Sequence, residues 1–189
     1  GLWRADPYLE RHTVPPCGSA TFELFAGDAI TVTDPEGAQP GELIAFSTDG
    51  RAAPGGLCDT RPKAATGFQK ILASTEPSAQ QVAAGLKQRN INAADAKAIA
   101  LFGSDSDAGS THHYTAREDL LCIVCAPGDA MLIDEQIPPT GLTAHVARAK
   151  GRELTEPLLP DPLADPRLEL RVDKCTAAQF TVHAGEYIW

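Results

Sequence analysis

The chain has 189 residues, 43% of them apolar and 22% charged, with a formal net charge of −9. This is the length of one domain, or of one domain plus a fragment, and the composition of a folded protein rather than a disordered one. The acidic balance argues against nucleic acid or an anionic membrane as partner. No apolar run approaches the ~20 residues that span a bilayer, and the opening GLWRADPYLERH lacks the apolar stretch of a signal peptide, so the expected compartment is the cytoplasm. Five cysteines, an odd number, point to free thiols or metal ligands rather than to a disulfide framework.

In chain order, TFELF (21–25) alternates as a half-buried strand does, with Phe22 and Leu24 on one face. Ala26-Gly27-Asp28 is a turn, AITVT (29–33) a return strand with Ile30 and Val32 inward, and Asp34-Pro35-Glu36-Gly37 a type I turn. ELIAFS (42–47) completes what reads as a β-meander. Residues 49–67 read as a surface loop. Pro77 opens a helix over 78–88, and Asn92 with Asp95 resembles a capping signal for a second helix over 93–101. SDSDAGS (104–110) is a polar loop. DLLCIVC (119–125) is a fully buried strand, followed by strands at 130–134 and 142–148 separated by the rigid IPPT (137–140). Residues 151–167 carry four prolines and six charged residues and read as an extended linker.

The stretch 17–30, CGSATFELFAGDAI, returns at 175–188 as CTAAQFTVHAGEYI. Cys17/Cys175, Ala20/Ala178, Phe22/Phe180, Ala26/Ala184, Gly27/Gly185 and Ile30/Ile188 are identical without a gap. The spacing is too long for a solenoid repeat. It predicts a first domain over 8–150, the linker, and the opening strands of a second copy over 168–189. The fold class expected is α+β: a mainly antiparallel barrel- or sandwich-like domain with two short helices.

Several residues invite a chemical reading. Cys122 and Cys125 form a C-x-x-C, but on a strand residues three apart point to opposite faces, which favours a buried structural pair over shared ligation. Cys58 in the Gly-rich PGGLCDT loop is a possible ligand or nucleophile; Asp59 beside it would raise its pKa and weaken it as a nucleophile. His112-His113 reads as a solvated loop pair, and His145 as a partly buried strand histidine. Asp34, Glu36 and Glu42 gather around Gly37 and Gln39, where a desolvated carboxylate can act as acid or base. Neither a dinucleotide fingerprint, nor a P-loop, nor G-x-S-x-G occurs.

AGDAITVTDPEGAQPGELIAF (26–46) resembles the opening of the urea-carboxylase-associated domain family, whose pattern [DE]-x-x-G-x-Q-x-x-[DE]-[LF]-x-A-F is filled by Gly37, Gln39, Glu42, Leu43, Ala45 and Phe46. QQVAAGLKQRNINAADAKAIALFGSDSDAG (80–109) is similar to the family's middle, and the strand at 119–125 with Pro127 takes the place of its closing strand. The resemblance covers most of residues 14–147. It implies tandem copies of the domain fused to a C-terminal, glycine-cleavage T-protein-like domain that binds tetrahydrofolate. It also implies a zinc-dependent demethylase or lyase that releases dimethylamine and formaldehyde from a small amine oxide, trimethylamine N-oxide. Its partners would be the second copy, the folate domain, the amine oxide and other chains in a homo-oligomer. By the same resemblance Gln39 and Glu42 are candidate substrate-binding residues, Glu42 the candidate catalytic base, and Cys58 and Cys125 the candidate metal ligands. No G-H-D segment is present, and V-C-A-P (124–127) sets Cys125 one position early for the family's closing cysteine. The first copy is therefore expected to be poor in ligands, with the main metal site beyond Trp189. Two other readings stand beside it: a non-catalytic small-molecule-binding or assembly module, and an independent metalloenzyme using Cys58, Cys122 or Cys125.

Overall fold

The computed structural model describes residues 8–59, 61–128 and 138–149; the expected strand at 130–134, the linker and the repeat at 168–189 lie outside these residues. Among the described residues there are nine strands: β1 (Leu9–Val14), β2 (Gly18–Leu24), β3 (Ala29–Asp34), β4 (Glu42–Ser47), β5 (Lys63–Ala64), β6 (Lys97–Ala100), β7 (Ser110–Thr115), β8 (Leu120–Ala126) and β9 (Leu142–Ala147). Two helices, α1 (Thr66–Leu72) and α2 (Pro77–Gln88), lie between β5 and β6. The strands form two antiparallel sheets, ordered β1-β9-β3-β7 and β2-β8-β4-β6-β5, and the sheets do not close into a barrel. The fold is α+β and sandwich-like, as expected. No helix among the described residues is long and apolar enough to cross a membrane.

The meander does not form. β2, β3 and β4 alternate between the two sheets, and none pairs with its neighbour in sequence. β2 pairs with β8, β3 with β7 and β9, and β4 with β6 and β8. The tight turns are real, but they are corners that carry the chain from one sheet to the other. At the first corner Gly27 takes φ +91°, a conformation that favours glycine. At the second, Gly37 has φ +83°, and the Asp34 side chain rather than its carbonyl receives the Gly37 amide.

Two apolar clusters result. Between the sheets lie Val14, Leu24, Ile30, Val32, Leu43, Cys122, Val124, Leu142 and Val146. On the outer side of the five-stranded sheet, Ile44, Phe46, Ile123 and Cys125 pack against Phe68 and Ile71 of α1 and Leu86 of α2. β4 and β8 are thus covered on both faces, which is why their sequences are continuously apolar while β3 alternates.

The helix over 93–101 is replaced by a 3-10 turn at Ala93–Asp95 and then β6. Asn92 does cap: its side-chain oxygen accepts the Ala94 amide, and its amide donates to Asp95. The chain then pairs Ile99 with Leu43 and Ala98 with Ile44, so sheet pairing overrides the helical preference of this alanine-rich segment. The second helix is instead α1, partly inside the segment read as loop. THHYT is likewise not a loop but most of β7, on the edge of the four-stranded sheet.

Candidate functional site

Glu42 and Cys125 are cross-strand partners on β4 and β8, both turned toward the helices. The Glu42 carboxylate sits on the N-terminus of α1: Oε1 accepts the Gly67 amide at 2.9 Å and Oε2 the Phe68 amide at 2.8 Å, with Thr66 Oγ1 at 3.5 Å. The residue before α1, Ala65, has no side chain to cap with. A carboxylate from a distant strand therefore satisfies two of the orphan amides and meets the positive end of the helix. Cys125 beneath it is completely buried. Burial first, and then the Glu42 carboxylate, push its thiol well above the usual cysteine range.

Gln39 is buried and tethers two loops: its Nε2 donates to Pro40 O at 2.8 Å and its Oε1 accepts the Thr140 amide at 2.8 Å. Asp34, also fully buried, accepts from the amides of Gly37 and Gln39 and from Ser106 Oγ. Glu36 beside them is exposed. The cluster foreseen around Gly37 is thus a hydrogen-bonded corner whose carboxylate and amide are already engaged.

Cys58 packs against the cluster between the sheets, beside Tyr114, so it lies on the other side of the five-stranded sheet from Cys125. The structure does not bring these two thiols together. Cys122 points between the sheets while Cys125 points to the helices, as the strand geometry requires, and burial pushes the Cys122 thiol up to about 12. His112 faces inward and contacts the Phe102 ring edge-on, with centroids 4.9 Å apart. His113 faces outward, held by Thr31 and Thr111. His145 is half-buried on β9. Arg117 holds Asp59 through paired contacts at 2.6 and 2.9 Å.

Zinc takes three or four nitrogen, sulfur or oxygen donors converging on one point. Among the described residues no group of three or more His, Cys, Asp and Glu side chains is arranged to hold an ion. The two candidate thiols, Cys58 and Cys125, lie on opposite sides of the five-stranded sheet, so the described residues do not fit zinc.

The densest charged cluster was missed in the sequence. Arg148, just past β9, donates to both oxygens of Glu10 at 2.7 and 2.9 Å, to Asp28 Oδ2 at 2.6 Å, and to the Glu23 carbonyl at 2.9 Å. Asp28 is fully buried and also accepts the amides of Phe25 and Ala149. Burial alone would raise its pKa, but these two amides and then the Arg148 guanidinium outweigh burial and lower it. His12 stacks on Phe22 with centroids 4.7 Å apart and lies 3.3 Å from Glu10. The one sequence signal for this cluster was the acid kept in the repeat, Asp28/Glu186.

No known family profile matches the chain. Over 188 residues it is 36% identical to the trimethylamine-oxide aldolase of Ruegeria pomeroyi, an alignment taking in 99% of this chain and 24% of that protein. The chain thus spans about a quarter of the length of this curated relative. Among solved structures, a DUF1989 family protein from Silicibacter pomeroyi aligns at 17% identity and a TM-score of 0.41, over 76% of this chain and 80% of that one. A de novo designed double-stranded β-helix aligns at 8% identity and a TM-score of 0.29, over 74% and 95%.

Proposed function

We propose that this chain is the front module of a larger lyase that converts trimethylamine N-oxide to dimethylamine and formaldehyde. In this reading zinc is held by residues beyond Trp189, and the formaldehyde passes to a tetrahydrofolate-binding domain. The reaction is an isomeric split: one methyl carbon leaves with the oxygen as formaldehyde and the remainder is dimethylamine, so no external electron carrier is needed. The observation that carries the reading is the 36% identity to trimethylamine-oxide aldolase along nearly the whole chain.

Within that protein the first copy serves as scaffold. Its family-pattern carboxylate, Glu42, caps a helix, its Gln39 ties two loops, and its described thiols do not converge. A non-catalytic binding or assembly role for this copy is compatible with the same facts. Residues 168–189 open a second copy. The repeat keeps buried Phe22 and Ile30 and the positive-φ Gly27, replaces buried Leu24 and Asp28 with the similar Val182 and Glu186, and changes buried Gly18 to Thr176 and exposed Thr21 and Glu23 to Gln179 and Thr181.

The test is to give the full-length protein trimethylamine N-oxide while measuring formaldehyde, dimethylamine and bound zinc. Both products, with zinc in the full protein and none in residues 1–189, are expected. Full-length protein with neither zinc nor formaldehyde overturns the lyase reading. Stoichiometric zinc in residues 1–189, lost in Cys125→Ser, overturns the scaffold role.

A further inference from the structure

β7 is an edge strand: among the described residues it pairs with β3 and has no strand on its other side. The Ala116 amide donates to the Asp28 carbonyl at 2.8 Å, which sets the phase of that ladder. In an antiparallel pair alternate residues exchange the main-chain bonds, so His112 and Tyr114 bond to Val32 and Ile30. The amides and carbonyls of Thr111, His113 and Thr115 then point away from β3, and these three residues are exposed. Such an edge is a template for another strand, and folded proteins blunt it with charges, proline or a very short strand. Among the described residues the other edges are blunted: β1 carries Glu10 and Arg11, β2 carries Glu23, and β5 is two residues long with Lys63. β7, STHHYT, has no Asp, Glu, Lys or Arg, no proline and no glycine.

We propose that a second copy of this chain pairs with this edge, β7 against β7, antiparallel about a twofold axis at His113. The open positions are spaced evenly about His113, so the strand is complementary to itself. Thr111 meets Thr115 of the partner subunit and His113 meets the partner's His113, each pair exchanging both main-chain bonds. On the inner side His112 meets the partner's Tyr114. Within one copy the rings of these two residues already lie parallel to within 3°, with centroids 6.2 Å apart. Threonine and aromatic cross-strand pairs favour a ladder, and no like charges are opposed. Charge also selects this place for two copies to meet. A net charge of −9 drives copies apart. The outer face of this sheet, in contrast, sets Arg11, His145, Thr31 and His113 in one cross-strand row, and its strands turn no carboxylate outward. The contact is one strand wide, so the pairing belongs to the weak, transient class. It does not rest on the lyase reading: turnover by the full protein and pairing of this chain fail separately.

The test is sedimentation and amide hydrogen exchange of the 189-residue chain at micromolar and millimolar concentration. At millimolar protein the mass of two copies is expected, with slowed exchange at Thr111, His113 and Thr115. On dilution these three amides should become fast, while His112 and Tyr114, bonded to β3, stay slow and report that the fold is intact. His113→Lys, at an exposed position, sets like charges opposite each other across the axis and should weaken pairing about five-fold. Thr111→Glu combined with Thr115→Lys sets opposite charges against each other in this register and should pair at least as tightly as the wild type. A one-copy mass at millimolar protein overturns the proposal. So does a dimer in which the amides of Thr111, His113 and Thr115 stay fast, a dimer equally tight in His113→Lys, or loss of pairing in the charged double variant.

Discussion

Replacing Arg148 with methionine should be among the most damaging single changes available in the described residues. Arg148 is 13% exposed and its partner Asp28 is not exposed at all, so the change leaves a buried carboxylate without its counter-ion. Removing one member of such a pair costs about 3–5 kcal/mol. The Glu10 side contributes little, because Glu10 is 36% exposed and an exposed pair is worth only about 0–1 kcal/mol. We expect about 3 kcal/mol at pH 7, because the amides of Phe25 and Ala149 still serve Asp28. With a urea m-value of about 2 kcal/mol/M, the unfolding midpoint falls by about 1.5 M. The sign of the pH dependence is fixed. In the wild type Asp28 has a lowered pKa, so its contribution is present above the ordinary carboxylate pKa, about 3.9, and is lost as pH falls through the folded value. In Arg148→Met the guanidinium's share of the lowering is lost, so the Asp28 pKa moves up from its wild-type position and the variant loses less stability than the wild type as that carboxyl protonates. The gap between the two proteins should therefore be widest near pH 7 and narrow toward pH 3. Adding Asp28→Asn to Arg148→Met should recover a large part of the loss. Urea unfolding followed by circular dichroism at pH 7, 5 and 3 measures all of this. A cost below about 1 kcal/mol at pH 7, or a gap that does not change with pH, refutes the clasp as described.

Glu42→Ala should destabilise the domain by about 1–2 kcal/mol through loss of the α1 cap, seen as a lowered thermal midpoint, with Glu42→Gln losing less. In the full-length protein Glu42→Gln also separates roles: a cap keeps turnover, whereas a proton-transferring Glu42 loses it while the melting point barely moves. With a thiol-reactive dye at pH 8, exposed Cys17 should label at once, while Cys122 and Cys125, buried and held neutral, should label only on unfolding. Mass spectrometry of the labelled peptides decides this. Gly37→Ala should cost about 1–3 kcal/mol, because the residue sits at φ +83° and the new Cβ would come 2.7 Å from the Ala108 amide nitrogen; chemical unfolding would show it.

Much of the local structure was legible because its causes are local. Proline at the start of α2, the alternation of β3 and the unbroken apolar run of β8 each reflect forces acting within a few residues. What stayed hidden depends on residues far away in the chain. α1 has no capping residue of its own, because its cap is Glu42, 25 residues before the Gly67 amide it accepts. β6 looks helical until Leu43 and Ile44 are set beside it. The candidate site suffered in the same way. Gln39 and Glu42 were singled out for their place in a pattern, and the structure shows that each side chain is already engaged, Gln39 with Thr140 and Glu42 with α1. The opposition of Cys122 and Cys125 was foreseeable, since it follows from the two-residue period of a strand.

The misread meander and the overlooked clasp have one cause. A strand, a tight turn and another strand in sequence suggest a hairpin, in which the two strands satisfy each other. Here the Ala26-Gly27-Asp28 turn is a corner between sheets, so β2 and β3 must find all their partners elsewhere. A corner of that kind needs its own anchorage. Asp28 supplies it locally through the Phe25 amide, and at long range through Arg148 and the Ala149 amide, 120 and 121 residues later in the chain. The anchor cannot form until β9 is in place, so the last strand among the described residues fixes the corner between β2 and β3. That makes the clasp a late, non-local contact, and Arg148→Met should accelerate unfolding more than it slows folding. A chevron analysis would show the opposite, a lowered folding rate with unchanged unfolding, if the corner were already anchored in the transition state.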